Sequence, residues 1–152
     1  MEGRSFEAFY RASFPKVLAA TRAFCGEPHL AHDATQESFA RAFVRWRKLR
    51  DQAWVEGWVV TTALNYCRKN AASASPITLD ASFELSRDDH LDLLSALRNL
   101  PDRQRQAAVL HYIVDCSIAT VASLMDLSEG GVKAHLFKAR KALRTSMEVG
   151  HV

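Results

Sequence analysis

The chain has 152 residues, 48% of them hydrophobic and 24% charged, with six glycines and four prolines. This is the composition of a globular protein with room for one medium domain or two small ones, and it excludes collagen-like and wholly disordered chains. The net charge of +3 is too small for a histone-like tail but is compatible with local basic surfaces that face nucleic acid.

Three helices are predicted in the N-terminal part of the chain. Apolar residues recur there at steps of three and four, which is typical of an amphipathic helix with one buried side. Pro15 is a candidate kink in the first helix, and the sequence Gly26-Glu27-Pro28 ends it. The expected helices cover residues 6–18, 29–49 and 54–66. Since we find neither a hairpin signal nor a repeat, we expect a small helical bundle.

Residues 71–90 have the composition of a linker. They are small and polar, they lack sustained periodicity, and they hold one basic side chain against four acidic ones. They are the only acidic part of the chain. We therefore expect two small domains that are joined by a flexible tether and move independently in solution.

The C-terminal part of the chain begins with a leucine-rich helix that Pro101 interrupts. Asp102 follows the proline, and we expect it to be the N-cap of the next helix because aspartate favours that position. Apolar residues from Ala107 to Ile113 indicate the buried side of this helix. This part of the chain is therefore expected to be helical as well.

A helix-turn-helix is predicted further along. Ser117 is a good N-cap for a short apolar helix, and Ser128 is a good N-cap for a longer one. Asp126 falls where the chain must turn sharply, and aspartate tolerates left-handed backbone better than most residues. Two helices joined by a short turn, the second long and basic, form a helix-turn-helix.

The second of these helices has a basic face. Its five cations are Lys133, Lys138, Arg140, Lys141 and Arg144, and no acidic residue lies between 133 and 145. Such a helix can neutralise DNA phosphates while its N-terminus, near Ser128, Glu129 and Gly130, enters the major groove. The alternative is a basic surface on an ordinary bundle. The capped helix and the turn that precede it favour DNA binding.

A second basic run, over residues 41–50, is interleaved with aromatic residues. Cations beside aromatic rings suit single-stranded DNA, because the cations follow the backbone while unstacked bases lie on the rings. The alternative is that the rings belong to the core. Helical spacing favours the core for Phe39, Phe43 and Trp58, and leaves Trp54 open.

Four stretches in order resemble the bacterial extracytoplasmic-function sigma factors. They read DATQESF at 33–39, WVVTTALN at 58–65, LPDRQR at 100–105, and SEGGVK at 128–133 followed by ARKAL at 139–143. Their order and spacing match over nearly the whole chain. The resemblance implies an all-α protein that directs transcription initiation as a promoter-specificity subunit of RNA polymerase. It places sigma region 2 in residues 1–70, a linker in 71–90 and the region 4 helix-turn-helix in 91–152.

The resemblance also implies roles for three sets of side chains. Those expected to bind core polymerase are Asp33, Gln36 and Glu37. Those expected at the minus-10 element are Trp54, Asn65, Arg68 and Lys69, with the loop near residues 50–56 holding a flipped base. Those expected at the minus-35 element are Ser128, Glu129, Gly130, Lys133, His135, Lys138 and Arg140. The implied partners are promoter DNA and the beta and beta-prime subunits of core polymerase, and an anti-sigma factor is compatible with the family.

Metal and enzyme interpretations are weaker. Cys25, His29 and His32 have a spacing that invites a zinc hypothesis, but no fourth Cys or His lies nearby in the sequence. The three cysteines are odd in number and form no CxxC pair, so reduced thiols are expected. No nucleophile elbow, phosphate-binding glycine loop or HExxH motif occurs. We expect no catalytic residues, no cofactor and no metal.

Two further expectations concern location and the rival function. No apolar run reaches the roughly 20 residues that span a bilayer, and the first residues do not resemble a signal peptide, so we expect a cytoplasmic protein without a membrane span. The rival function is a dimeric helix-turn-helix regulator that binds a palindrome without polymerase. Asp33, Gln36, Glu37 and Asn65 favour the sigma factor.

Overall fold

The computed structural model describes residues 4–71 and 88–149, including the side chains of 4–71 and 93–146. All regular elements of these residues are helical, which confirms the all-α prediction. The eight α-helices are α1 (Phe6–Cys25), α2 (Pro28–Val44), α3 (Trp46–Leu49), α4 (Val55–Asn70), α5 (Asp88–Arg98), α6 (Asp102–Ala108), α7 (Ile118–Met125) and α8 (Glu129–Val149). Most of the predicted linker, residues 72–87, lies outside the described residues.

Helices α1, α2 and α4 pack into the N-terminal bundle. Ser5 caps α1 by accepting a hydrogen bond from the Ala8 amide at 3.1 Å. The helix continues through Pro15 and ends at Gly26, whose backbone is left-handed with φ of 77°. The largest fully buried side chains of this bundle include Phe9, Phe39 and Leu64. These contacts fix the orientation of α4, which carries the candidate DNA residues.

Helix α2 ends at Val44, earlier than the sequence predicted. Arg45 interrupts it, and α3 forms a separate short helix. The reason is the Trp46 ring, which packs on Phe9 with centroids 4.9 Å apart while its Nε1 donates to the Arg4 carbonyl at 2.9 Å. The expectation that Phe43 belongs to the core is wrong, since its side chain is 63% exposed.

The C-terminal helices include the predicted helix-turn-helix. The Ser117 hydroxyl accepts from the Thr120 amide at 3.1 Å, and the Ser128 hydroxyl accepts from the Gly131 amide at 3.0 Å. Asp126 is left-handed with φ of 56° and ends α7. All three predictions are confirmed.

The predicted cap at Asp102 is wrong. Pro101 occupies the N-cap position, and Asp102 is the first residue of α6. Its carboxylate does not cap the helix but binds an arginine of α4. At its other end α6 continues into a π-helical turn over Val109–Ile113.

The two halves of the chain contact each other. A single core cluster contains buried residues from both halves. Helix α1 packs against α5 and the π-helical turn, and α4 packs against α7. At Gly57 of α4 a Cβ atom would lie 2.6 Å from Leu124 Cδ1 and 3.0 Å from Cys116 Sγ. Glycine therefore permits the close approach of α4 and α7. The small domains predicted to be independent are packed together in this structure.

Candidate nucleic-acid interface

The acidic and polar set on α2 forms one surface. Asp33, Gln36 and Glu37 are spaced by three and one positions, so they share a side of the helix. Asp33 and Gln36 are exposed, and the Tyr10 hydroxyl donates to Gln36 Oε1 at 3.4 Å. Glu37 is half-buried and pairs with Arg41 Nε at 3.1 Å. The structure thus brings the three predicted polymerase-binding residues together.

A groove crosses the surface of α4. Its larger part, about 540 Å³, lies between α4 and α7 and is lined by Trp54, Trp58, Thr61, Thr62, Asn65, Ala119, Thr120, Ser123 and Leu124. Its smaller part, about 240 Å³, is lined by Arg41, Arg45, Trp58, Thr62 and Asn65. Since three residues line both parts, the groove runs from Arg41 and Arg45 across α4 to the first helix of the helix-turn-helix.

Two of the predicted minus-10 residues line this groove. Trp54 is 39% exposed, and Asn65 is exposed and lines both parts. Lys69 is exposed but is not among the lining residues. Trp58, which helical spacing assigned to the core, packs against the core with one side and lines the groove with another.

Arg68, the remaining predicted minus-10 residue, is already bound within the protein. Its Nε and Nη2 donate to the two carboxylate oxygens of Asp102 at 3.1 and 2.6 Å, and Nη2 also donates to Gln106 Oε1 at 2.6 Å. Its Nη1 donates to Asn65 Oδ1 at 2.8 Å. A bidentate arginine–carboxylate pair has fixed geometry, so this contact links α4 to α6.

The exposed side of α8 carries most of the predicted minus-35 residues. Those exposed to solvent are Ser128, Glu129, Gly130, Lys133, Lys138 and Arg140. Val132, Leu136 and Ala139 are buried on the opposite side. His135 differs from the rest, because it is half-buried and its Nδ1 is enclosed without a hydrogen-bond partner. Arg140 donates from Nη1 to the Tyr112 hydroxyl at 2.8 Å.

Sequence reasoning missed Phe137, and it put Arg41 and Arg45 in a basic run suited to single-stranded DNA without including them among the minus-10 residues. Arg41 and Arg45 lie one helical turn apart and line the groove beside Asn65; the basic run in the sequence was their only signal. Phe137 is 61% exposed on α8, where an apolar face of a helix would ordinarily be buried. Its exposure could not be read from the sequence, since a phenylalanine beside a buried leucine is typical of a core.

The described residues contain neither the hypothesised type of zinc site nor a membrane-spanning helix. Among residues 4–71 and 93–146, no group of three or more His, Cys, Asp or Glu side chains is placed to hold a metal ion. Cys25 instead packs in a cluster with Cys67, while His29 and His32 are exposed. Within the described ranges, none of the helices has the length and apolar character that crossing a bilayer requires.

Family models match the chain in two blocks. Residues 9–75 match the model of sigma-70 region 2, and residues 90–143 match the model of sigma-70 region 4. The RNA polymerase sigma-E factor of Streptomyces antibioticus is 27% identical over 94% of this chain and 84% of its own length. The ECF RNA polymerase sigma factor SigM of Bacillus subtilis (strain 168) is 28% identical over 78% of this chain and 80% of its own length.

Solved structures share the fold. The sigma factor RpoE, in complex with the anti-sigma factor NepR from Bartonella quintana, has a TM-score of 0.79 at 18% identity and covers 95% of this chain and 97% of its own. CnrH, in complex with the cytosolic domain of CnrY, has a TM-score of 0.73 at 21% identity and covers 95% of this chain and 88% of its own. The two family models together account for most of the sequence, in the predicted order. The chain therefore belongs to the sigma-70 family and is an extracytoplasmic-function sigma factor, a promoter-specificity subunit of RNA polymerase.

Proposed function

We propose that the groove on α4 holds the opened minus-10 element, that the N-terminal part of α8 reads the duplex minus-35 element, and that the α2 surface binds core polymerase. The observation that carries the proposal is the groove itself. It places Trp54 and Asn65 beside Arg41 and Arg45, so rings, an amide and cations line one path. This factor has no catalysis of its own and acts in the cytoplasm, where its polymerase is.

The groove has the chemistry that single-stranded DNA requires. The two tryptophans offer faces for unstacked bases, and Arg41 and Arg45 offer charge to the backbone. Asn65 presents an amide that can donate to and accept from a base edge. Extracting a base costs a few kcal/mol of unstacking, which stacking on a ring offsets.

Helix α8 has the chemistry that duplex DNA requires. Glu129 and Lys133 lie one turn apart near its exposed N-terminus, where Glu can accept from cytosine and Lys can donate to guanine. The exposed Phe137 ring, one turn further, can contact a thymine methyl group. Arg140, Lys141 and Arg144 lie farther along and face the phosphates.

The α2 surface is proposed to bind the beta and beta-prime subunits. Its carboxylates and amide are concentrated on one side of a helix whose opposite side is buried in the bundle. A dimeric regulator, the rival function, has no use for a sigma region 2, and residues 9–75 match that region. An anti-sigma factor is compatible with this proposal, since RpoE was solved in complex with the anti-sigma factor NepR.

The test is transcription by core polymerase from a randomised promoter library, with and without the full chain. We expect the chain to enrich templates that carry two conserved elements. We expect Arg41→Ala combined with Arg45→Ala to abolish the enrichment of the minus-10 element. Arg11→Ala is the matched control, because Arg11 is an exposed arginine of α1 with an ion pair to Glu7.

Polymerase binding is tested separately. Glu37→Lys should weaken the affinity for core polymerase by roughly tenfold. Reversing one charge at the rim of an interface, beside a charged partner, is expected to cost about 1.4 kcal/mol of binding free energy. Glu7→Lys, a charge reversal of the same size on α1, should leave the affinity unchanged. Equal affinities of both variants for core would refute the α2 assignment, and promoter-selective binding by the chain without polymerase would support the regulator instead.

A further inference from the structure

Two cysteines lie together where α1 and α4 end. Cys25 is the last residue of α1, and Cys67 lies in the final turn of α4. They belong to a small apolar cluster with Ala34 and Ala63 that is separate from the main core. Cys67 is buried, Cys25 is half-buried, and both are free thiols. The pair therefore combines a partly exposed cysteine with a buried one beside the same cluster.

The Cys25 side chain packs against the cluster that contains Cys67, and its thiol donates to the Glu27 carbonyl at 3.7 Å. The neighbouring Cys67 thiol lowers the pKa of Cys25 from 9.0 to about 7 against the opposing effect of burial. Proximity to Cys25, together with burial, raises the pKa of Cys67. Cys25 is thus partly thiolate near neutral pH, and the thiolate is the reactive form.

Charges of both signs lie near the pair: two arginines favour the thiolates, and Glu27 opposes them. Arg98 of α5 donates from Nη1 to the Gly26 carbonyl at 3.4 Å, directly after Cys25, and its charge favours the Cys25 thiolate. Arg68 follows Cys67 in sequence, and its charge favours the Cys67 thiolate. A nearby cation is typical of cysteines that react with disulfides and oxidants.

We propose that Cys25 and Cys67 form a reversible intramolecular disulfide by exchange with a low-molecular-weight disulfide. The Cys25 thiolate attacks one sulfur of the small disulfide and expels its other half as a thiolate, which gives a mixed disulfide at Cys25. Cys67 then loses its proton to that released thiolate and attacks the Cys25 sulfur, expelling the second half as a thiolate, which takes a proton from solvent. Two protein thiols are oxidised by two electrons, and the small disulfide is reduced to two small thiols.

Cys116 provides an internal comparison. It is half-buried, and burial together with Glu56 and Asp115 raises its pKa to about 11. It packs at the α4–α7 contact, where a Cβ on Gly57 would lie 3.0 Å from its sulfur. Neither a thiol partner nor a stabilised thiolate is present there, so Cys116 should stay reduced while the pair oxidises.

The experiment treats the reduced full chain with oxidised glutathione at pH 7.5, blocks the remaining thiols with N-ethylmaleimide and maps the peptides without reduction. We expect a linked pair of peptides that contain Cys25 and Cys67, one blocked thiol at Cys116, and full recovery of three blocked thiols after treatment with dithiothreitol. Because the disulfide closes a long loop, the oxidised chain should also melt at a higher temperature than the reduced chain.

Variants separate the pair from general thiol reactivity. Cys116→Ser should still form the bridge, whereas Cys25→Ser should form none, and Cys67→Ala should stop at a glutathione adduct on Cys25. A stable glutathione adduct on Cys25 in the unaltered chain, equal oxidation of Cys116, or no oxidation at all would each overturn the proposal. These readouts do not involve DNA or polymerase, so their failure would leave the proposed promoter recognition untouched.

Discussion

Asn65 is the residue where base recognition and strand opening meet. It is exposed at the junction of the two parts of the groove, and its Oδ1 already accepts from Arg68. We expect Asn65→Ala to reduce transcription from a closed promoter by roughly one to two orders of magnitude, since a well-placed base contact is worth about 1–3 kcal/mol. Loading on a template whose minus-10 region is already mismatched should suffer much less if the main role of Asn65 is in melting.

The control for this substitution is Asn99→Ala, which removes an exposed asparagine amide at the end of α5. Abortive-transcript yields on the two templates give the comparison. Equal defects on both templates would assign Asn65 to base recognition alone. The absence of a defect on either template would make it a residue that only orients Arg68.

The thiols should differ in their dependence on pH. Alkylation by iodoacetamide follows the thiolate fraction, so the rate at each cysteine rises with pH until its pKa is passed. The rate at Cys25 should have its midpoint near pH 7, while the rate at Cys116 should still increase towards pH 11. In Cys67→Ala the midpoint for Cys25 should move upwards, because the neighbouring thiol that lowers its pKa is lost. Peptide mass spectrometry measures each site, and superimposable profiles for Cys25 and Cys116 would contradict this prediction.

At the scale of the helices, the sequence predicted a helix end correctly wherever a residue's own conformation, or a hydrogen bond to backbone within one turn, determines that end. Ser117, Asp126 and Ser128 act within one turn of their own position, so the sequence alone was sufficient. The prediction that Asp102 is an N-cap failed because its carboxylate pairs with Arg68 from the other half of the chain. No local sequence pattern indicates that contact. The end of α2 failed for a similar reason, since the docking of Trp46 on Phe9 decides it.

The candidate site, too, has features that the sequence could predict and features that depend on packing between helices. The residues of each surface could be assigned from the resemblance, because each set lies on one helix. The groove could not, since Arg41 and Arg45 reach Asn65 only through the packing of α2 on α4. The burial of His135 and the exposure of Phe137 also depend on how α8 packs, which the spacing of leucines and valines did not reveal.

Different residues of helix α8 should recognise bases and bind phosphates. Lys133→Ala should cost about 1–3 kcal/mol of discrimination at one base pair of the minus-35 element. Arg144→Ala should weaken binding to all promoters similarly and reduce the slope of log K against log salt by about one. Both side chains are exposed, so neither substitution removes a core contact. Fluorescence anisotropy of the holoenzyme on matched and single-mismatch duplexes, over a salt series, measures both quantities. A promoter-dependent effect of Arg144→Ala would contradict the division.

At the scale of the whole molecule, the packing of the two halves limits access to the groove. Ala119, Thr120, Ser123 and Leu124 of the helix-turn-helix line the larger part of the groove opposite Trp54 and Asn65. Polar contacts also hold the halves together: among them, Arg68 binds Asp102, and Arg105 donates to the Phe24 carbonyl at 3.0 Å. Movement of α7 away from this surface would therefore widen the larger part of the groove for the bases of an opened promoter strand, while Asn65 is also open to the smaller part.

This arrangement predicts the effect of reversing one charge. Asp102→Arg places two guanidinium groups against each other at the α4–α6 contact. The wild-type pair is 30% and 50% exposed on its two sides and is worth at most about 1 kcal/mol, so the reversal should favour separation of the halves without unfolding either. We expect a larger radius of gyration in small-angle X-ray scattering and tighter binding of a single-stranded oligonucleotide in the absence of polymerase.

The charge swap distinguishes this contact from a local effect on α6. Asp102→Arg combined with Arg68→Glu restores an opposite pair across the same contact, so it should return the radius of gyration to the wild-type value. Glu7→Arg makes the same change in net charge on α1, where the partner Arg11 lies on the same helix, and it should leave the shape unchanged. An Asp102→Arg chain as small as the wild type would mean that apolar packing at Gly57 and Leu124 is sufficient to hold the halves. An expanded double variant would mean that the reversal acts on the start of α6, where Asp102 lies at the positive end of the helix dipole.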